Sequence, residues 1–172
     1  MTPAPSIAVH EIEVPTEADV AALAEVLVAT VHDGASVGFL PPLDQTEAEA
    51  YWRGALAPGV HLFAAEVGGR LVGTVQLQLA LKANASHRAE IAKLLVHPDA
   101  RRKGVGRALM EHAEAAAREH GRTLLVLDTR AGDVSNHLYR SLGYVEAGRI
   151  PRYARSAGGE LDETIFFYKE LG

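Results

Sequence analysis

Residues 90–110, Glu90-Ile-Ala-Lys-Leu-Leu-Val-His-Pro-Asp-Ala-Arg-Arg-Lys-Gly-Val-Gly-Arg-Ala-Leu-Met110, constrain this chain more than any other stretch. They read as a buried strand, a turn, a loop carrying Arg101-x-x-Gly104-x-Gly106, and a helix. Arg101, Arg102, Lys103 and Arg107 surround the two glycines where that helix begins. Cations there oppose the positive end of the helix macrodipole, so helix stability does not explain the cluster. A bound anion does. Free backbone N–H groups at a helix start attract anions, and glycine lets the backbone come close. The segment is therefore suited to a pyrophosphate. It lacks the Lys-Ser/Thr ending of a Walker A loop. It also lacks the third glycine and the following acid of a dinucleotide fingerprint.

Elsewhere the apolar pattern switches between strand and helix periods. Residues 7–14 alternate and predict a strand. Thr16 with Asp19 forms a cap, and Val20, Leu23, Leu27 and Val31 predict a helix running to about His32. Gly34 and Gly38 break it, and Pro41-Pro42 enforces an extended segment before a second helix over 46–56. Residues 60–67 and 70–81 read as strands joined by a tight Gly68-Gly69 hairpin. Residues 82–87 are a polar loop, and 89–96 the next strand. The longest helix is expected over 104–120, with Val105, Leu109, Ala113 and Ala116 as its apolar stripe. Residues 124–127 form a continuous apolar run, as in a strand buried on both faces. A short helix over 134–142 ends at Gly143, and strands over 145–150 and 163–168 complete an α/β pattern.

A length of 172 residues suits one domain, residues 1–172, and 48% hydrophobic residues can fill its core. Cysteine is absent, which excludes disulfides, thiolate metal sites and a cysteine nucleophile and points to a reducing cytoplasm. A net charge of −5 argues against nucleic acid as partner, despite the local basic cluster. No apolar run reaches a membrane span, and residues 1–15 lack the basic and hydrophobic regions of a secretory signal. The eight histidines form no His-Glu-x-x-His, and His112 and His120 lie two helical turns apart, so no metal is expected.

The loop Arg101-Arg-Lys-Gly-Val-Gly106, with Leu124-Leu-Val-Leu-Asp-Thr129 and Asn136-His-Leu-Tyr-Arg-Ser-Leu-Gly-Tyr144 downstream, resembles the GNAT N-acetyltransferase superfamily. Thr30-Val-His-Asp-Gly-Ala-Ser-Val-Gly-Phe39, Arg88-Ala-Glu90 and Leu127-Asp-Thr129 are similar to the tabtoxin-resistance acetyltransferases within it. The resemblance implies a GNAT fold: a mixed, mostly antiparallel sheet with flanking helices, splayed at an acetyl-CoA site between the Glu90 and Leu124 strands. It implies an acetyl-CoA-dependent N-acetyltransferase whose acceptor amine attacks the thioester directly. The expected acceptor is a small amine, amino-acid-like or antibiotic-like, which would connect the chain to antibiotic resistance. A protein N-terminal or lysyl acetyltransferase, and a non-catalytic acetyl-CoA sensor, are the alternatives. A homodimer is compatible with either.

The same resemblance assigns residues. Pantetheine would pair with the backbone of the strand at Leu94, Leu95 and Val96. The pyrophosphate would sit on Arg101, Arg102, Lys103, Gly104, Val105, Gly106 and Arg107, with Arg101 or Arg102 reaching the 3′-phosphate. Tyr139 matches the tyrosine that often lies beside the coenzyme sulfur, where a phenol stabilises the leaving thiolate. This chain departs from the frequent Asn-x-x-Ala-x-x-Leu-Tyr form: Gly132 and Ser135 stand at the Asn and Ala positions, so Asn136 carries little weight. Glu90 and Asp128 are the paired carboxylates, one as base and the other holding the ammonium. His32, Asp33, Ser36 and Phe39 are expected in the acceptor wall, with Tyr153 closing the opposite side.

Overall fold

The computed structural model describes residues 3–172, so Met1 and Thr2, part of the reading of 1–15, lie outside it. The element order is β1 (Ile7–Glu11), α1 (Glu17–His32), α2 (Gln45–Arg53), β2 (Val60–Val67), β3 (Arg70–Leu79), β4 (Arg88–Val96), α3 (Val105–Glu119), β5 (Leu124–Arg130), α4 (Ser135–Ser141), β6 (Val145–Arg155) and β7 (Leu161–Glu170). Seven strands form one sheet in the order β1-β2-β3-β4-β5-β7-β6. Only β4 and β5 run parallel; every other neighbouring pair is antiparallel.

Local chemistry sets most element ends. Thr16 accepts the Asp19 N–H while the Asp19 carboxylate accepts the Thr16 N–H, so two orphan donors are satisfied at the start of α1. Asp44 caps α2 by accepting the Glu47 N–H, with no bond returned. The last three strands are longer than the sequence pattern indicates. In β6 the apolar alternation is lost because it is an exposed edge strand with charged residues along its length. The charges on β6 pair with one another and with β7, as in Arg149 with Glu146 and Glu163.

Two apolar layers lie on opposite faces of the sheet. Phe63, Val75, Leu77, Ile91, Leu125 and Phe167 meet Leu109, Met110 and Ala113 of α3 and Tyr139 of α4. On the other face Leu62, Ala64 and Leu95 meet Leu23, Leu27 and Val31 of α1 and Trp52 of α2. Gly73 lets α3 come down onto β3. A Cβ there would stand 2.9 Å from the Leu95 carbonyl oxygen and 3.0 Å from Val105 Cγ1. Leu124 and Val126 are only half-buried, unlike the doubly buried strand that their apolar run suggests. The reason is coverage: α1 packs over β3 and β4, and the same face of β5 lies beyond it. No helix among the described residues is long and apolar enough to cross a membrane.

Candidate active site

β4 and β5 pair at only three positions, Arg88 with Leu124, Ala89 with Leu125 and Glu90 with Val126. Beyond them the strands part. The rest of β4, from Ile91 to Val96, therefore has unpaired backbone groups on its β5 side. A groove of about 690 Å³ runs along that edge and past the start of α3. Leu94, Leu95 and Val96 line it, as do Arg101, Arg102, Gly104, Val105, Gly106 and Arg107, with Leu138 of α4 opposite.

The start of α3 is open for an anion. Gly104, at φ +84°, is its N-cap and supplies no side-chain hydrogen bond, so the first-turn N–H groups remain available. Only the far end of Ile7 lies near a Cβ at Gly104, at 3.8 Å, which leaves room for a ligand over the turn. The four cations differ in their commitments. Arg101 forms an ion pair with Asp33 from the loop after α1. Arg107 donates to the Ser141 hydroxyl at 2.6 Å. Lys103 donates to the Asp99 carbonyl oxygen and does not line the groove. Arg102 has no carboxylate partner among the described residues.

Where the strands part, a second cavity of about 330 Å³ continues from the groove. Glu90 stands on its wall from β4, Asp128 from β5, Tyr139 from α4 and Tyr153 from β6. Glu90 and Asp128 share a face because Glu90 is in register with Val126, and Asp128 follows two residues on. Asp128 does not end its strand; it lies within β5, opposite Phe166. Removal of water raises the Glu90 carboxyl above its ordinary range, and the Asp128 charge adds to this; Lys93 and Arg88 oppose it. The Asp128 carboxyl is raised by the same loss of water, against Lys93 and its own backbone hydrogen bond. Burial, then the Asp133 and Asp128 charges, keep the Tyr139 phenol protonated far above neutral pH, against the Ser135 hydroxyl. The site thus holds two carboxylates shifted toward neutrality beside a phenol that keeps its proton, a set able to exchange protons with a reacting amine and a leaving group.

The expected acceptor wall divides. Ser36 lines the cavity with Ala35, Val37 and Gly38. Asp33 faces the groove instead and holds Arg101. His32 lines neither space; its Nε2 accepts the Leu43 N–H at 3.1 Å and fastens the loop to the end of α1. Phe39 packs edge-on against Tyr51 with ring centroids 5.1 Å apart, a local plug between the loop and α2. Tyr153 rests edge-on against Phe166 with its ring at the cavity. Asn136 is buried, and its amide donates to the Arg130 and Asp133 carbonyl oxygens, which fixes the turn between β5 and α4.

Lys93 is a cavity residue that the sequence pattern hides. Strict alternation would point it, like Ile91, toward α3. A bulge intervenes: Thr74 pairs with Leu95 and Gln76 with Ala92, so Val75 alone faces both Lys93 and Leu94. Lys93 takes φ +50° there, and its ammonium lies against Gly38, 3.4 Å from where a Cβ would stand. The bulge re-aims the side chain into the cavity. A lone charge inside the apolar run from Ile91 to Val96 is the one sequence signal that marks it.

Residues 19–144 match the acetyltransferase (GNAT) family, and the chain belongs to it. It is 26% identical over 150 residues to the L-amino acid N-acyltransferase MnaT of Escherichia coli (strain K12), covering 87% of each chain. It is 36% identical over 78 residues to the ribosomal protein bS18-alanine N-acetyltransferase of the same organism, covering 45% of this chain and 53% of that one. Its fold is similar to that of yncA from Salmonella typhimurium, solved with its cofactor acetyl-CoA. The TM-score is 0.79 at 21% identity, with 96% and 94% of the two chains covered.

Proposed function

We propose that this protein transfers acetyl from acetyl-CoA to the amine of a small amino-acid-like or antibiotic-like acceptor. The observation that carries the reading is the parting of β4 and β5 just after Glu90. It joins an anion-ready groove to a cavity that holds both carboxylates and Tyr139. The coenzyme fits the groove on this chain's own features. The first-turn amides of α3 receive the pyrophosphate. The free edge of β4 at Leu94 and Val96 pairs with pantetheine as an added strand would. Arg102 reaches the 3′-phosphate, because Arg101 is already engaged by Asp33.

The thioester then lies at the cavity. The acceptor nitrogen attacks its carbonyl carbon, a C–N bond forms, and the C–S bond breaks with its electron pair on sulfur. Glu90 takes the amine proton, directly or through water. Asp128 holds the ammonium form before transfer. The Tyr139 phenol, which burial keeps protonated, donates a hydrogen bond to the departing thiolate. Two further lines support a small acceptor: the limited cavity volume, with Tyr153 on its wall, and the likeness to an amino-acid acyltransferase along most of the chain. The resemblance of residues 30–39 to the tabtoxin-resistance group points the same way.

Release of free thiol from acetyl-CoA tests the reading. Amino acids, amino-acid-like antibiotics and short peptides should be compared at equal concentration. Turnover with single small molecules above that with peptides is expected. Turnover only with peptides or protein N-termini would overturn it, as would binding of acetyl-CoA without transfer to any of them.

A further inference from the structure

We propose that Lys93 seats an anionic group of the acceptor, so that the preferred acceptors are amino acids with a free carboxylate; this rests on the acetyl-transfer reading above. The cavity carries charges of both signs, and two of the five are already matched. Arg130 lies 3.9 Å from Asp162. Asp133 accepts from the Val134 N–H and the Ser135 hydroxyl, at 2.8 and 3.2 Å. Three charged groups remain without a side-chain partner among the described residues: Glu90, Asp128 and Lys93. Lys93 feels both carboxylates but forms no ion pair with either within 4.0 Å, and loss of water disfavours its charge.

A half-buried cation whose carboxylate neighbours lie beyond ion-pair reach gains from an anion that a ligand brings into contact. An acceptor carrying only an ammonium would meet that cation as it approached Glu90 and Asp128. A zwitterion matches all three groups at once: its ammonium faces the carboxylates and its carboxylate faces Lys93. The backbone geometry gives the position a purpose. Without the bulge Lys93 would point into the α3 layer, and with it the ammonium stands at the cavity beside Gly38. A lysine at φ +50° is strained where glycine would not be, so the chain keeps an ammonium at a position whose backbone favours its absence.

The test compares the common L-amino acids with their primary amides as acceptors for the full-length protein. An amide's amine is less basic, so more of it is unprotonated, and intrinsic reactivity runs against the expected preference. The parent should nevertheless use at least one free acid with a kcat/KM roughly tenfold or more above its amide, the size of one charge-assisted hydrogen bond. Lys93→Met and Lys93→Gly should bring that ratio to about one, mostly through the acid's KM, with acetyl-CoA affinity retained by calorimetry. Lys93→Gly suits the φ of this position, so misfolding does not excuse it, and Lys93→Arg should keep part of the preference. Amides used as well as acids by the parent, or a ratio that survives both variants, would overturn the role of Lys93 and leave acetyl transfer standing. Failure of the parent to acetylate either series would overturn the preference for amino acids, and the acetyl-transfer reading falls with it only if the antibiotics and peptides of the earlier comparison also go unacetylated while acetyl-CoA binds.

Discussion

The groove and the cavity meet at Leu94, yet they are made of different material. The groove offers mainly backbone: the free edge of β4, the open first turn of α3 and a glycine at positive φ. The residues that offer this backbone lie in one short stretch of sequence between Leu94 and Arg107. The cavity offers side chains: Ser36 from the loop after α1, Glu90 and Lys93 from β4, Asp128 from β5, Tyr139 from α4 and Tyr153 from β6. Backbone recognition tolerates side-chain change and depends on φ and ψ. Side-chain recognition has the opposite sensitivity. The difference lets one scaffold keep its cosubstrate while the acceptor varies.

The largest effect should come where the groove's backbone is attacked. Gly104→Asp places a negative charge beside the pyrophosphate and a side chain at φ +84°. A Cβ there meets nothing nearer than 3.8 Å, so the fold should survive. Calorimetry should show acetyl-CoA affinity lower by at least about a hundredfold. Unchanged affinity would mean that the anion is bound elsewhere.

In the cavity, Glu90→Gln should leave that affinity intact and lower kcat by about a hundredfold. The pH profile sharpens the point. Activity of the parent should fall as pH drops through the Glu90 pKa, which lies above the ordinary carboxylate range. An amide in place of the carboxyl cannot titrate, so the part of the acidic limb that Glu90 sets should vanish in E90Q, leaving only what Asp128 contributes. Tyr139→Phe removes a single hydroxyl from a buried ring and should cost about tenfold in kcat with acetyl-CoA affinity unchanged, measured where chemistry limits the rate. Asp128→Asn should act chiefly on the acceptor KM, by about threefold to tenfold. If both carboxylate variants keep parental kcat, KM and pH profile, the cavity is not where protons move.

The same contrast governs how much of the molecule is legible in its sequence. The groove is readable because glycine spacing, a basic cluster and a helix start are local features. The core helices are equally plain: Thr16 and Asp19 mark the start of α1, and the stripe of α3 is regular. The cavity is only half readable. Glu90 and Asp128 stand out as charges on apolar strands, and their register then sets them on one face. Lys93 does not, because alternation assigns it to the wrong side and only the bulge corrects this. His32 and Phe39 adjoin Asp33 and Ser36 in sequence, but a loop turns its residues in several directions. Two of the four become fasteners of the loop.

The smallest effect is the sharpest test of the contrast. Leu94 touches both spaces, and its part in the groove is assigned to its N–H and C=O groups. Leu94→Met keeps the volume and the backbone and changes only the branching of the side chain. Acetyl-CoA affinity should change by no more than about twofold, since added-strand hydrogen bonds do not involve the side chain. The acceptor KM has no such protection, because Leu94 also forms the cavity wall, and a modest rise there is expected. A drop in coenzyme affinity of about tenfold or more would show that side-chain shape, and not the strand edge, holds the pantetheine. The groove and the cavity would then be built on the same principle, and the freedom of one to vary without the other would be lost.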